Sequence, residues 1–489
     1  MKKFKTVLAM ILVFAMFAAL SITASAETAN LDGHLYKAFQ IFSGSQNEED
    51  TSGALGSVKW GDGIQDADFL TALKSSDAFG SPNPFVHDDT AAQVARHLEV
   101  FENDSDALIA FSKLAYEYRV LSAGIDCVDG DTSLPAGYYL VVDVTSFGAD
   151  EVNTVYNMAL LQQTRNGRFE IRNKASVPTL IKKVKDINDS QASEESLWQD
   201  SADWDIGDNV VFRITVTLGE MKNYDTYAIT IHDTLSDTLS YNRDSAVIKV
   251  GNTIVTDQFN ISATNTNVTA SCSNVKAFAS DGDVITMEYT ARLLGTAKIG
   301  TDGNDNTAYL EYSNNPNDSS SRGKTPEDLV RVFTYQLTLN KVDEEGNALI
   351  GASFELQKKN AAGAWVSKGV VRGTTSTVFT WAGLDDGDYR IVETVTPDGY
   401  NPIDPIEFTI TADHDVESDD PHLNSLSGGD GFTVELSRGA LQADIVNEGG
   451  VVLPETGGEG TQMLYVFGAL LLLGGLVLIV TKKRVGDAA

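Results

Sequence analysis

In the segment Val210-Val211-Phe212-Arg213-Ile214-Thr215-Val216-Thr217, every second side chain is large and apolar. Successive side chains of an extended strand point to opposite faces, so this spacing turns one face toward a core and the other toward water. The same period recurs in Leu337-Thr338-Leu339-Asn340-Lys341-Val342 and Phe432-Thr433-Val434-Glu435-Leu436. Such segments are rich in Val, Ile, Thr and Tyr and bounded by Gly, Asn, Asp and Pro, which predicts short strands joined by turns. The clearest departure is 90–118, where Ala91, Val94, Ala95, Leu98 and Phe101, then Leu108, Phe111, Leu114 and Ala115 fall at helical spacing. The predicted class is all-β with a minor helical part in the first domain.

Punctuation in the sequence divides the chain. Glu170-Ile171-Arg172-Asn173-Lys174-Ala175-Ser176-Val177-Pro178 ends one strand and starts another, and proline suits the first residue of an edge strand. The polar stretch 314–326 is too poor in apolar residues to be core and reads as a long loop. Domains are thus expected at 27–176, 177–335 and 336–448, each long enough to bury a core. Short strands at regular spacing suggest three tandem immunoglobulin-like β-sandwiches, laid end to end as a rod. Two cysteines, Cys127 and Cys272, fall in different domains, so each is expected to be a small buried apolar residue rather than half of a disulfide.

Both termini carry address segments. Met1-Lys2-Lys3-Phe4-Lys5 is basic, 7–20 is apolar and Ala24-Ser25-Ala26 precedes Glu27, the layout of a cleavable secretory signal over 1–26. At the other end, within 449–489, Leu453-Pro454-Glu455-Thr456-Gly457 precedes an apolar run, 463–480, and then Lys482, Lys483 and Arg484. The run is expected to be a transmembrane sorting helix with the basic cluster on the cytoplasmic side. Pentapeptide, span and basic tail in this order resemble the cell-wall sorting signal of Gram-positive surface proteins. That resemblance implies cleavage by a sortase between Thr456 and Gly457 and transfer of the threonine carbonyl to an amine. The precursor would stay transiently in the membrane, and the mature chain would be secreted and covalently anchored to the peptidoglycan cell wall.

The third domain contains Lys341 in an early strand, Tyr389-Arg390-Ile391-Val392-Glu393-Thr394-Val395-Thr396-Pro397-Asp398-Gly399-Tyr400, and a last strand Ala443-Asp444-Ile445-Val446-Asn447. This resembles the B-type repeat domains of collagen adhesins, in which a Glu-Thr-x-x-Pro-x-Gly-Tyr box and a flanking Lys and Asn form an intramolecular isopeptide bond. Carried over, Lys341 is the nucleophile, Asn447 the amide electrophile and Glu393 the proton shuttle. The residue types suit the chemistry, because only a neutral lysine amine attacks an amide, and desolvation favours the neutral form. In the second domain Leu180, Lys182 and Val184 alternate onto one face, Ile229-Thr230-Ile231-His232-Asp233-Thr234-Leu235 supplies an acid, and Asn306-Thr307-Ala308-Tyr309-Leu310-Glu311-Tyr312-Ser313-Asn314 ends it. This looks like the A-type isopeptide domain of backbone pilins. The likeness implies Lys182 joined to Asn306 with Asp233 as catalyst, Asn314 having the same strand parity and standing in reserve.

The first domain shows Leu35-Tyr36-Lys37-Ala38-Phe39-Gln40-Ile41-Phe42-Ser43-Gly44, Lys59-Trp60-Gly61-Asp62-Gly63 and Leu134-Pro135-Ala136-Gly137-Tyr138-Tyr139-Leu140. All three resemble the N-terminal domain of sortase-assembled major pilins. With the later domains and the sorting signal, the chain resembles a sortase-assembled, LPXTG-anchored backbone pilin. That family needs a lysine at the end of the first domain to receive the threonine of the next subunit. Many members carry Tyr-Pro-Lys-Asn there; this sequence has Lys174 in Asn173-Lys174-Ala175. The implied partners are a sortase, further copies of the chain in a covalent homopolymer, accessory pilins and host surface ligands. A first-domain bond from Lys37 to Asn173 is a further option. The alternatives are a monomeric wall-anchored adhesin for a host matrix protein or glycan, which is of another class, and an accessory pilin.

Other chemistries find little support. With 36 basic against 69 acidic side chains and a formal charge of -33, the chain has no surface suited to nucleic acid. Its six histidines are scattered, no Cys or His ligand spacing occurs, and no cofactor or metal is expected. The acidic run Asp413-His414-Asp415-Val416-Glu417-Ser418-Asp419-Asp420 lacks the ordered spacing of a calcium loop and reads as solvated. The chemistry implied is self-directed, one turnover per bond, so the chain is not expected to be an enzyme.

Overall fold

The computed structural model describes residues 34–45, 54–127, 132–163, 167–168, 176–190, 198–450 and 459–486. The secretory signal, Asn173, Lys174 and the pentapeptide Leu453-Pro454-Glu455-Thr456-Gly457 lie outside the described residues.

The chain is mostly β. In the N-terminal part, Tyr36–Ser45 lies between Gly56–Trp60 and Gly137–Asp143, with Met158–Gln163 beyond the latter. Phe39, Phe42, Leu140 and Val142 pack with helices Asp66–Ser75, Ala91–Leu98 and Asp106–Glu117, whereas Tyr36, Ala38, Tyr139 and Val141 form a second small core with Cys127 and Leu134. The helical stretch 90–118 is thus two helices. Thr90 caps the first in a reciprocal pairing with Gln93, and Asp104 at φ 58° breaks the path before Ser105 caps the second.

Two seven-stranded sheets form the middle sandwich. One contains Thr179–Lys185, Asn209–Thr217 and Val284–Leu293; the other contains Ile229–Leu235, Asn304–Ser313 and Asp328–Phe333. Side chains of both meet in one core, among them Phe212, Ile214, Ile231, Tyr289 and Leu310. The period-two pattern is followed closely: along Asn209–Thr217 the buried residues are Val210, Phe212, Ile214 and Val216. In Thr179–Lys185 the same parity buries Leu180, Lys182 and Val184, so a lysine occupies a core position.

The C-terminal sandwich packs a four-stranded against a five-stranded sheet. Its first and last long strands, Tyr335–Val342 and Ala440–Val446, are parallel neighbours from Gln336 opposite Ala440 to Val342 opposite Val446. Gly387–Val395 lies in the opposing sheet.

Several expectations change. Within 314–326, expected as loop, Arg322–Lys324 pairs with the Asn304–Ser313 strand, and Asn314 is buried. Asn314 is covered there by N-terminal residues: its Nδ2 donates to Thr154 Oγ1 at 3.1 Å, and Tyr156 N donates to its backbone O at 2.8 Å. Cys127 and Cys272, by contrast, are both free and buried as expected. The expected span 463–480 lies in the helix Glu459–Gly486, but among the described residues no helix is long and apolar enough to cross a membrane.

Candidate cross-linking sites in the two sandwiches

Lys182 enters the middle sandwich from one sheet and meets groups of the other. Its side chain is fully buried, and Nζ donates to Asp233 Oδ1 and to Tyr289 Oη at 3.1 Å. The rings of Phe212 and Tyr289, stacked at 5.5 Å between centroids, each lie 5.4 Å from the ammonium nitrogen. Tyr289 donates its own proton to Asp233 Oδ2 and accepts from Asn306 Nδ2 at 2.7 Å. Asn306 is fully buried and its Oδ1 has no hydrogen-bond partner. Strand register places Asn306 opposite Leu235, one step along the inward face from Asp233.

Burial drives the Lys182 amine below its ordinary pKa of 10.5, and attraction to Asp233 only partly opposes the shift. Burial also holds the Tyr289 phenol well above its usual range, reinforced by the charge of Asp233. An amine pushed toward neutrality, a carboxyl group touching it and a primary amide with an unsatisfied carbonyl together suit acyl transfer from amide to amine. Tyr289 has no counterpart in the sequence reading. Its only signal is inward parity between Met287 and Ala291, which equally describes a core aromatic.

Asn314, the reserve position, lies away from this site. Its Nδ2 donates to Thr154 Oγ1 at 3.1 Å, and its Oδ1 accepts from Ser321 Oγ at 2.7 Å. Parity alone did not separate it from Asn306. The pairing of Asn306 with Leu235 does.

The C-terminal sandwich brings together Lys341, Glu393 and Asn447. Lys341 and Asn447 are fully buried. Lys341 Nζ donates to Val342 O at 2.7 Å and Ile445 O at 2.9 Å, and Asn447 N also donates to Val342 O, at 3.2 Å. Glu393 reaches across from the opposing sheet, accepting from Asn447 Nδ2 at 3.1 Å on each carboxylate oxygen. Its Oε2 is further fixed by Thr396 Oγ1 at 2.9 Å and Ile403 N at 3.3 Å. Glu393 therefore faces the nitrogen end of the amide. The Asn447 carbonyl oxygen is buried without a partner, the same condition as in Asn306. Burial lowers the Lys341 pKa, with Glu393 and Asp343 opposing.

Lys37 occupies a different environment. It pairs with Asp126 at 2.6 Å where both side chains are solvent-accessible, and Asn173 lies outside the described residues. The acidic run 413–420 is engaged in local bonds: Asp415 accepts from His422 N and Asn424 Nδ2, and Ser418 N donates to Asp200.

Residues 445–485 match the LPXTG cell wall anchor motif. The chain carries a Gram-positive wall anchor. Residues 335–421, which hold Lys341 and Glu393, match the SpaA prealbumin-like fold domain. No curated protein sequence matches the chain. Among solved structures, it is similar to the T6 backbone pilin of serotype M6 Streptococcus pyogenes, with 17% identity over 87% of this chain and 100% of that one and a TM-score of 0.50. That protein is described as having a modular three-domain structure. The Corynebacterium diphtheriae major pilin SpaA gives 14% identity over 85% and 95% of the two chains, with a TM-score of 0.41. The Bacillus cereus major pilin BcpA gives 20% over 68% and 89%, with a TM-score of 0.40. The fold is pilin-like, and the wall anchor motif gives the chain a place on the Gram-positive cell surface.

Proposed function

We propose that the chain is the structural backbone subunit of a covalent surface pilus. In this reading its middle and C-terminal domains, 177–335 and 336–448, are each stapled by one Lys–Asn isopeptide bond. The observation that carries it is the buried set Lys182, Asp233, Tyr289 and Asn306, in a chain with a wall anchor motif. The T6 protein with which it shares a fold is a backbone pilin, and the same role is assigned here.

Bond formation begins with proton transfer from the Lys182 ammonium to Asp233. The neutral amine attacks Asn306 Cγ, the C–N bond to Nδ2 breaks, and Nδ2 leaves as ammonia. Tyr289 donates to Asp233 and accepts from Nδ2, so it can relay the required proton from the carboxyl group to the departing nitrogen. In the C-terminal domain Glu393 performs this transfer directly, being hydrogen-bonded to Asn447 Nδ2. No other reactant is consumed.

The staples suit a load-bearing role. A force entering through Thr179–Lys185 and leaving through Asp328–Phe333 would pass from Lys182 to Asn306 and bypass 183–305. In the next domain it would pass from Lys341 to Asn447 and bypass 342–446, so that Ala440–Val446 is not sheared from its parallel neighbour Tyr335–Val342. Polymerisation is assigned to a sortase joining Thr456 of one subunit to Lys174 of the next, with further copies, accessory pilins and the cell wall as partners.

The test is an immunoblot of wall extracts boiled in detergent, from cells with an active pilin sortase. A high-mass ladder that collapses in Lys174→Ala supports the polymer and its acceptor. A ladder that survives moves the acceptor to another lysine. A single band in wild type would replace the pilus with a solitary wall-anchored adhesin.

A further inference from the structure

The two amides assigned to cross-links are held in different ways. Asn306 lies inside a strand that is paired on both sides, opposite Leu235 on one neighbour and Val330 on the other, so the sheet itself fixes its backbone. Asn447 is the first residue past Ala440–Val446, the last strand of its domain. It is fully buried between Val446 and Glu448, which are both exposed, and the chain then runs on to the pentapeptide of the wall anchor motif. A chain end in such a position frays unless something ties it down.

The tie is the turn that follows Glu393. Tyr400 N donates to Pro397 O at 3.2 Å, with Gly399 at φ 87°, a left-handed conformation that glycine adopts without strain. This turn is zipped to the tail: Asn401 N donates to Glu448 O at 2.9 Å, Gly450 N donates to Gly399 O at 2.8 Å, and Tyr400 and Gly449 form a β-bridge. Within the clasp so formed, Asn447 Nδ2 donates to Asn401 O at 2.7 Å as well as to Glu393. The same segment fixes the acid, because Thr396 Oγ1 and Ile403 N both donate to Glu393 Oε2. Three acceptor oxygens thus meet one side of the amide, and only its NH2 end can satisfy them. The carbonyl oxygen is left without a partner.

We propose that this clasp, 396–401 zipped to 448–450, sets Asn447 for cross-linking, with the Asn401 carbonyl as a second acceptor for the departing nitrogen. The role rests on the Lys341–Asn447 bond proposed above. In that reaction Lys341 Nζ bonds to Asn447 Cγ as the Cγ–Nδ2 bond breaks, the proton lost by the amine reaches Nδ2 through Glu393, and ammonia leaves. Asn401 O takes no proton. It accepts from Nδ2, and this hydrogen bond strengthens as the nitrogen gains its extra proton. Asn401 acts through its backbone on a reacting atom, whereas Gly399 and Gly450 are positioning residues. The C-terminal bond therefore closes fastest while 448–450 is zipped in place, and a pull on the tail before closure draws the amide away from Glu393. The Asn306 bond has no such dependence.

The experiment is intact mass of the full chain at intervals after expression, with peptide mapping to assign each ammonia lost, on wild type, Gly450→Pro and Gly450→Ala. Proline removes the N–H that bonds Gly399 O, whereas alanine keeps it. Both place a Cβ 3.1 Å from Gly399 O, so the difference between them isolates the hydrogen bond. Gly450→Pro should form the Lys341–Asn447 bond about 10-fold more slowly than wild type, equivalent to ~1.4 kcal/mol, and Gly450→Ala should close it several-fold faster than the proline variant. The Lys182–Asn306 bond should form at the wild-type rate in all three. Near-UV circular dichroism of the unlinkable Lys341→Ala chain, with and without Gly450→Pro, should superimpose, because the clasp orients the amide without being needed for the fold. A wild-type rate in Gly450→Pro, equal rates in the two variants, or a lost near-UV signal would each overturn the clasp while leaving the cross-link in place. A wild type that never joins Lys341 to Asn447 would overturn the cross-link itself and the clasp with it.

Discussion

Asn306 donates through Nδ2 to the Tyr289 hydroxyl at 2.7 Å, and the same hydroxyl donates to Asp233. Two groups assigned complementary roles in proton transfer are thereby joined through a third that no sequence motif marks. Tyr289→Phe keeps the ring on Phe212 and removes this link together with the bond the hydroxyl accepts from Lys182 Nζ. The Lys182–Asn306 bond is predicted to form about 10²-fold more slowly in the variant, the lower end for a positioned proton-transfer group. Intact mass of freshly expressed chain followed over time measures this, and an unchanged rate would exclude the relay.

In the C-terminal sandwich the corresponding group is Glu393, bonded to the leaving nitrogen of Asn447 by both oxygens. Glu393→Ala is predicted to leave Lys341 and Asn447 unlinked while the middle domain still closes its bond. The variant should therefore fall one ammonia below the mass of its own sequence, where wild type falls two below its own. A deficit of two ammonia in the variant as well would remove Glu393 from the mechanism.

Asn314 supplies the complementary control. Its side chain binds Thr154 and Ser321, outside the Lys182 site. Asn314→Ala should leave the cross-link mass unchanged and lower stability by about 1–3 kcal/mol, the cost of leaving buried partners unpaired. Chemical denaturation combined with intact mass separates the two effects.

The pH dependence follows from the depressed pKa of Lys182. In an unlinkable Asn306→Ala chain, the folded state binds fewer protons than the unfolded state between the lowered folded pKa and the ordinary 10.5. Stability of that variant should accordingly rise with pH through this window, relative to a Lys182→Met/Asn306→Ala chain that lacks the group. Urea unfolding midpoints across the alkaline range provide the measurement, and parallel profiles would mean that the lysine is not held toward neutrality.

How much of this was legible depends on whether the information is local. Alternation places Lys182 between Leu180 and Val184, so its inward direction follows from a few residues and the pleat of a strand. Lys341 is marked in the same way by Leu337 and Leu339. The choice between Asn306 and Asn314 needs the register of Asn304–Ser313 against Ile229–Leu235, which parity does not supply. Tyr289 looks like any inward aromatic until its hydroxyl is seen between Asp233 and Asn306. The clasp on Asn447 is still less accessible, because 399–401 and 448–450 carry no periodic signal and meet only when the last strand docks.

Intact mass of the secreted chain, followed by peptide mapping, tests the central claim most directly. The account predicts a mass lower than the mature sequence by two ammonia molecules, with one branched peptide joining Lys182 to Asn306 and another joining Lys341 to Asn447. Lys182→Ala and Lys341→Ala should each restore one ammonia. A wild-type chain at its full sequence mass, with all four residues recovered in linear peptides, would contradict it.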